Sequence, residues 1–250
     1  MELHELTTYL DDYLGVADHP DYSHALNGLQ LDGRAGVTRI AAAVDASEET
    51  VQAAIDARAD LLVVHHGLFW GGLTPLTGRH YRKIKKAVEA GLAVYSAHLP
   101  LDSHPEVGNC AVLARALAVA IEGRFGAFQD VEIGWWGKLD EQRDTFHERL
   151  SGVVGGPVHL IPGGPPRLSK VGVLTGGGGS MIDAAVQSGL DTYITGEGNH
   201  HTHFDAMELG LNVFYAGHYA TETWGVRALA MHLEGQFGLP WEFLDFPTGL

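Results

Sequence analysis

Two adjacent histidines, His65 and His66, follow Asp60–Val64, an apolar run that is typical of a buried strand. Gly67 comes next and favours a turn, which would let both imidazoles reach one cavity. Histidine is the commonest protein ligand of metal ions, and a buried imidazole needs a polar partner. We therefore interpret the doublet as two metal ligands. The alternative interpretation is a strand end that is exposed to solvent.

A second pair of potential ligands, His218 and Glu222, is spaced four residues apart directly after Gly217 and another apolar run. Residues at this spacing share one face of a helix, so both can reach one metal ion, although such pairs also occur on ordinary helix surfaces. In the first half of the chain, His98 and Asp102 have the same spacing after a strand-like segment. Asp102 therefore adds a second carboxylate to the candidate set.

The candidate ligands are three imidazoles and two carboxylates, namely His65, His66, Asp102, His218 and Glu222. This is more than one closed tetrahedral ion accepts. It suits two ions about 3.5–4 Å apart that share a carboxylate and a water molecule. Mixed nitrogen and oxygen donors favour two divalent transition-metal ions per chain (Zn, Fe, Mn, Co or Ni) over Ca or Mg alone. We expect Glu222 to be the bridging carboxylate.

Other polar residues have more than one interpretation. Glu197 occupies the position of His66 in the internal repeat described below, so we expect it near the site as a catalytic proton carrier or a supporting group. We expect His98 to support the ligands, with direct ligation as the alternative. The histidines of GEGNHHTH either form an exposed polar helix start or line a cavity; they are His200, His201 and His203.

A glycine-rich segment, Thr175–Ser180, joins a predicted strand to a predicted helix. It matches neither the dinucleotide-binding nor the phosphate-loop glycine pattern. Backbone amides that open a helix can still contact an anion. The segment is therefore either a tight turn or a phosphate contact through Gly176, Gly177, Gly178 and Gly179.

The elements that position these residues alternate between strand and helix, which predicts an α/β fold with largely parallel strands. Within this alternation we expect a helix over Glu106–Ala120 and a strand over Val131–Trp136. Arg39–Gly67 overlays Lys170–Gly198 without a gap, and EAGLAVYSAH resembles ELGLNVFYAGH further on. The alternative is chance similarity between two ordinary α/β units.

From the repeat we expect two similar α/β lobes, 1–125 and 126–250, that arose by internal duplication. Their mixed, largely parallel sheets are flanked by helices. The last strand, Trp241–Leu244, is a candidate to pair back onto the first lobe. The metal site is expected between the lobes, at strand carboxyl ends, where ligands usually sit in α/β sheets.

Composition narrows the functional classes. The 250 residues carry 16 basic and 31 acidic side chains, for a net charge of −15, which makes nucleic acid an unlikely partner. The single cysteine, Cys110, excludes an intramolecular disulfide and a cysteine-based zinc site. No apolar run is long enough to span a membrane, and the N-terminal segment lacks the pattern of a signal peptide. We expect a cytoplasmic protein.

Several motifs resemble one known family, the Nif-three-like dinuclear metal centre family, also called GTP cyclohydrolase I type 2 homologues, in its short bacterial form. These motifs lie between Asn27 and Leu229 and read NGLQLDG, DLLVVHHGLFW, YSAHLPLDSHP, VLTGGGGSMIDAA, ITGEG and YAGHYATETWGVRAL. The resemblance implies the same five metal ligands that the residues indicate. It also implies two similar α/β lobes and a ring-shaped homo-hexamer with its sites facing an inner cavity.

Two functional hypotheses follow. The first is a metal-dependent hydrolase whose ions activate a shared water. If the family label holds, its small-molecule substrate is the nucleotide GTP, whose imidazole ring opens with release of formate. The second is a non-catalytic metal-binding ring, or a metal-handling scaffold, that binds a partner.

Overall fold

A computed structural model describes residues 1–249 as a mixed α/β protein with two β-sheets flanked by helices, which confirms the expected fold class. The strands, in chain order, are β1 (Gly28–Leu31), β2 (Ile40–Asp45), β3 (Leu61–His66), β4 (Ala93–Ser96), β5 (Ala120–Phe128), β6 (Val131–Gln142), β7 (His159–Pro162), β8 (Arg167–Val173), β9 (Thr192–Thr195), β10 (Asn212–Tyr215) and β11 (Trp241–Phe243). The helices are α1 (Leu3–Leu14), α2 (Glu48–Asp56), α3 (Gly78–Ala90), α4 (Leu99–Ser103), α5 (Asn109–Ala116), α6 (Arg143–Val154), α7 (Ile182–Gln187), α8 (Thr202–Leu209) and α9 (His218–Phe237).

The described chain divides into two compact units. The first unit comprises Met1–Leu101 and Val226–Phe246, and the second comprises Asp102–Gly225 with the C-terminal residues from Pro247. Each unit contains one sheet. The strand orders are β1-β4-β3-β2-β11 in the first sheet and β5-β6-β8-β9-β10-β7 in the second.

The first sheet is parallel apart from its edge strand β1, which runs antiparallel to β4. Its central strands β2 and β3 are apolar along nearly their whole length because helices cover both faces of a parallel sheet. One face packs into a core with α2 and α3 through Val51, Leu62, Val64 and Ala87. The carboxyl ends of β2, β3 and β4 therefore extend from a packed apolar core.

The second sheet combines a parallel centre, β8-β9-β10, with antiparallel strands on both sides. Its core includes Leu113, Phe146, Val171, Ile194 and Phe214, all of them buried. Phe146 and Phe214 meet edge to face with ring centroids 5.2 Å apart. This apolar core holds the ends of β9 and β10, and Glu197 and His218 follow those two strands in the sequence.

The strand registers confirm that the two sheets repeat one unit. Val63 pairs with Ala42 and Tyr95, and its repeat counterpart Ile194 pairs with Val173 and Phe214. The antiparallel edges match as well, because Gly28 pairs with Ser96 as His159 pairs with Tyr215. The repeat therefore extends further upstream than the similarity of sequence showed.

One region differs from the sequence-based expectation. The helix expected over Glu106–Ala120 spans only Asn109–Ala116, and a strand without a clear pattern, β5, begins at Ala120. Gly123 at a register irregularity and Gly126 with a positive φ of 71° interrupt that strand. Glycines at such positions break the alternation that identifies a strand. The strand expected over Val131–Trp136 exists and continues to Gln142 as β6.

Within residues 1–249, none of the helices combines the length and the apolar character that crossing a bilayer requires.

Candidate functional site

His65 and His66 are the last two residues of β3, as the sequence predicts, and their environments differ. His65 is fully buried, and its Nδ1 lies 3.0 Å from the carbonyl oxygen of Ala97. His66 is partly buried, and its Nδ1 lies 2.8 Å from Oδ1 of Asp45, the cross-strand partner at the end of β2. Because a carbonyl and a carboxylate only accept hydrogen bonds, Nδ1 donates in both cases.

His98, the residue directly before α4, belongs to the same cluster. Its Nδ1 donates to Oδ1 of Asp21 at 2.8 Å, and its backbone amide donates to Oδ1 of Asn27 at 2.7 Å. Ring nitrogens of His65, His66 and His98 lie within 4.8 Å of one another, which is close enough for a shared ion. The geometry permits ligation by His98 as well as a supporting role.

Asp21, which lies in the loop after α1, accepts the hydrogen bond from the His98 ring. Burial raises the pKa of this carboxyl, but hydrogen bonds from His98, Asn27 and the Leu99 amide outweigh burial and lower it overall. Asp21 is therefore ionised at neutral pH. A carboxylate behind an imidazole fixes the orientation of the ring and raises its basicity as a ligand.

The indole of Trp70 packs on the same imidazoles. Its ring centroid lies 4.7 Å from that of His66, 4.5 Å from that of His98 and 4.9 Å from that of His24. Trp70 thus supports two candidate ligands from the segment after β3. Sequence reasoning missed Trp70, Asp45 and Asp21 because only the folded chain brings them against the histidines.

In the second unit, Asp102 and Glu222 are both buried, with 4% and 2% of their surface exposed. A carboxylate oxygen of each lies within 4.8 Å of the other. Oδ1 of Asp102 accepts from Nδ2 of Asn109 at 2.9 Å and from Oγ1 of Thr175 at 3.1 Å. Two close, buried carboxylates of like charge favour a cation between them.

His218 lies between two carboxylates at the start of α9. Its Nδ1 donates to Glu197 at 2.8 Å, and its Nε2 lies 3.1 Å from Oε1 of Glu222. Burial lowers the pKa of this imidazole, but the hydrogen bonds and charges of Glu222 and Glu197 outweigh burial and raise the pKa to about 9. The proton on Nε2 therefore occupies a position that a metal ion competes for, since metal binding to histidine releases protons.

The glycine-rich segment approaches this carboxylate closely. Gly176 has a positive φ of 67°, and a Cβ there would overlap Oε1 of Glu222. The amides of Gly176, Gly178 and Gly179 donate to Thr221, Thr195 and Glu197 respectively. These bonds account for the tight turn, and the phosphate contact of Gly176–Gly179 stays a prediction.

Cys110 contributes no nucleophile. It is fully buried beside Thr175, and burial raises the pKa of the thiol to about 12. The charges of Asp102 and Glu222 act in the same direction. The thiol is therefore protonated at neutral pH, whereas nucleophilic cysteines react as thiolates.

The donor set fits transition-metal ions. His65, His66, His98 and His218 all direct Nδ1 to a carbonyl or carboxylate oxygen. This arrangement is characteristic of metal-binding histidines, which coordinate through one nitrogen and donate from the other. The buried His, Asp and Glu groups of this chain could therefore hold metal ions.

Comparison with known proteins gives a consistent result. The family model described as Duf34/NIF3 (NGG1p interacting factor 3) matches residues 1–248. A Deinococcus radiodurans protein named "GTP cyclohydrolase 1 type 2 homolog" is 48% identical over 248 residues, which cover 98% of this chain and 94% of that protein.

Two solved structures align with this chain over the full length of both proteins. The structure titled "Structural genomics, protein ybgI, unknown function" has a TM-score of 0.93 at 34% identity. The protein TTHA1606 from Thermus thermophilus has a TM-score of 0.90 at 41% identity. Together with the family model, these similarities confirm the resemblance inferred from the motifs.

Proposed function

Because the chain belongs to the Duf34/NIF3 family, we propose that it is a metal-dependent hydrolase with a dinuclear centre. The proposed ligands of two divalent transition-metal ions are His65, His66, Asp102, His218 and Glu222. The observation that carries this proposal is the common orientation of the imidazoles, each with Nδ1 held by an oxygen acceptor.

When bound, a pair of such ions lowers the pKa of a shared water and makes it a nucleophile at neutral pH. Glu222 would hold both ions, and the buried carboxylates of Glu222 and Asp102 would supply the negative charge that two cations require. Glu197 orients His218 and carries a proton between the site and solvent, since it is itself exposed.

The proposed substrate is a small molecule, for which GTP is the specific candidate because the curated relatives are named after a GTP cyclohydrolase. In such a reaction, water adds at C8 of guanine and opens the imidazole ring, and a second hydrolysis releases formate. The Gly176–Gly179 segment is the proposed phosphate contact, through the Gly177 amide, because the amides of Gly176, Gly178 and Gly179 already donate within the chain.

Metal analysis of protein purified without added metal tests the ligand set. We expect about two ions per chain, on the two-ion model, and loss of at least one ion in Glu222→Ala. Glu208→Ala, which removes an exposed carboxylate from α8, is the matched control and should retain both ions. Full metal content in Glu222→Ala, located by anomalous scattering, would contradict the assignment.

Formate release tests the reaction. Metal-loaded protein should release formate from GTP, and protein treated with a chelator should not. If loaded protein releases none but hydrolyses another phosphate ester or amide, the cyclohydrolase reaction is wrong and the hydrolase proposal stands. Retained metal without turnover of any substrate tested would support the non-catalytic metal-binding alternative.

Assembly belongs to the same proposal. We propose that the chain forms a homo-oligomer, specifically a hexamer, as the family resemblance implies. Sedimentation equilibrium of the purified protein measures the mass directly. A monomer of 26.9 kDa at all concentrations would contradict the hexamer.

A further inference from the structure

A cleft of about 390 Å³ lies entirely within the second unit, and none of the candidate metal ligands lines it. Its volume is in the range of about 300–1,000 Å³ that small-molecule sites occupy. The residues that line it are His159, Ile161, Gly198, Asn199, His200, Thr202, His203 and Tyr215. Three of them are histidines to which the proposed hydrolase chemistry gives no role.

Two rings of this cleft are nearly parallel. His159 and Tyr215 are cross-strand partners on β7 and β10, so their side chains lie on the same face of the sheet. Their ring planes differ by 7°, and their centroids are 6.3 Å apart. A planar ligand that stacks on one of these rings is therefore parallel to the other as well.

The tyrosine ring is fixed in position. Its hydroxyl lies 2.5 Å from Oγ1 of Thr202, which in turn donates to the carbonyl oxygen of Asn199. Because the proton of the Thr202 hydroxyl is used in that bond, the phenol donates to Thr202. Gly198 lies against the same phenol, since a Cβ there would overlap the tyrosine hydroxyl oxygen. This side of the cleft is thus formed before any ligand arrives.

The polar edge of the cleft comes from His200 and His203. Both imidazoles pack edge to face on Phe204, with centroid distances of 5.7 Å and 5.5 Å. Neutral imidazole has one donor and one acceptor, so these rings can hydrogen-bond the edge of a nitrogen heterocycle. Both imidazoles are exposed, so a purely apolar ring would displace water from them without forming a hydrogen bond in return.

We propose that this cleft binds a planar nitrogen heterocycle of the size of a nucleobase. The base stacks on His159 and Tyr215, and its polar edge faces His200 and His203. Stacking on an aromatic side chain occurs with any base, because every base has a flat π-face. The cleft borders Glu197 through Gly198, but base binding requires no metal and no hydrolysis.

The experiment is a calorimetric titration of metal-free full-length protein with guanosine 5′-monophosphate. Ribose 5-phosphate is the matched ligand, because it has the same sugar phosphate and lacks the base. We expect binding of the nucleotide and no competition by ribose 5-phosphate. Equal binding of the two, or no binding of the nucleotide at millimolar concentration, would overturn the proposal.

Variants locate the bound ring. His159 is exposed, so His159→Ala should leave the fold intact. It should lower the affinity for the nucleotide about tenfold, which corresponds to about 1.4 kcal/mol. His159→Phe restores a ring and should recover most of the affinity. His4→Ala, an exposed histidine of the first unit, is the control and should bind normally. Equal affinity in His159→Ala and His4→Ala would exclude this cleft as the site.

The outcome is independent of the proposed hydrolase. Nucleotide binding by metal-free Glu222→Ala would support the cleft even if no catalytic activity is found. Formate release by a protein whose base binding does not respond to His159→Ala would support the hydrolase and overturn the cleft.

Discussion

Four neighbouring strands of each sheet, β1-β4-β3-β2 and β7-β10-β9-β8, share strand order and register but differ at the carboxyl ends of their strands. In the first unit, His66 on β3 is held by Asp45 on β2. At the equivalent positions of the second unit stand Glu197 and Gly176. A carboxylate thus stands where the first unit has an imidazole, and Glu197 holds His218, which is the counterpart of His98.

At the other end of the central strands, the two units share an aspartate that accepts hydrogen bonds from backbone amides. Asp60 accepts hydrogen bonds from the amide and hydroxyl of Thr38, and its counterpart Asp191 accepts from the amides of Ser169 and Lys170. Both aspartates precede the central strand of their sheet. The bonds from the two aspartates to backbone amides are thus alike in both sheets, whereas the side chains at the strand ends, where ligands usually sit in α/β sheets, differ.

The largest expected effect comes from Gly176→Ala, because this glycine combines a positive φ with contact to Glu222. We expect a loss of about 1–3 kcal/mol in unfolding free energy and loss of metal content. Gly177→Ala is the matched control. A Cβ there would have only Cε1 of His218 nearby, at 3.8 Å, so its unfolding midpoint in urea and its metal content should be close to wild type.

Asp60→Asn is expected to cost about 1–3 kcal/mol, because the amide presents a donor to the Thr38 amide. Asp191→Asn should cost less, since Asp191 is less buried and has no arginine partner comparable to Arg34 among its described bonds. Urea unfolding of both variants tests this order. Equal losses would show that the two anchors contribute alike.

The same aspartate predicts a pH dependence. Burial raises the pKa of Asp60, but hydrogen bonds from Thr38 and Arg34 outweigh it and hold the pKa below its usual value. The folded protein therefore binds this proton more weakly than the unfolded chain. The stabilisation is complete above about pH 4 and is lost as pH falls through the native pKa. Below pH 4, Asp60→Asn should thus approach wild type in unfolding free energy.

Removing the carboxylates that hold His66 and His218 tests whether they serve the same purpose in the two units. Asp45→Ala and Glu197→Ala should each weaken metal binding about 10–100-fold, as is usual for groups that orient a ligand. Asp183→Ala removes an exposed carboxylate and should bind metal normally. If only one of the two variants loses affinity, only that unit contributes oriented ligands.

The smallest effect is expected at the helices that follow the equivalent strands. Ser47 caps α2 by accepting from the Thr50 amide, whereas α7 follows a short 3-10 turn, Gly178–Met181, without such a cap. Ser47→Ala should therefore cost about 1 kcal/mol. Ser180→Ala, in that 3-10 turn, should leave the thermal midpoint nearly unchanged.

The sequence predicts those features that repeat or that follow a simple period. The apolar runs of β2 and β3 predict buried strands, and the overlay of Arg39–Gly67 on Lys170–Gly198 anticipates the shared register. β5 escapes detection because Gly123 and Gly126 interrupt its pattern.

The candidate ligands are similarly predictable where they follow strands, as His65 and His66 do. Their supports are not. Asp21 lies in a loop far from His98 in sequence, and Trp70 follows β3 without any periodic signal. Only the folded chain brings such residues against the imidazoles, so no local pattern identifies them.

The position of β11 has a consequence for synthesis on the ribosome. β11 pairs with β2 in parallel, so the last of the described strands completes the sheet that also contains β1. Until Trp241–Phe243 have emerged, β2 has an unpaired edge in the nascent protein, and unpaired edges invite pairing with other chains. Protection of that edge, and therefore resistance to aggregation, is acquired only after the other described strands of both sheets have been synthesised.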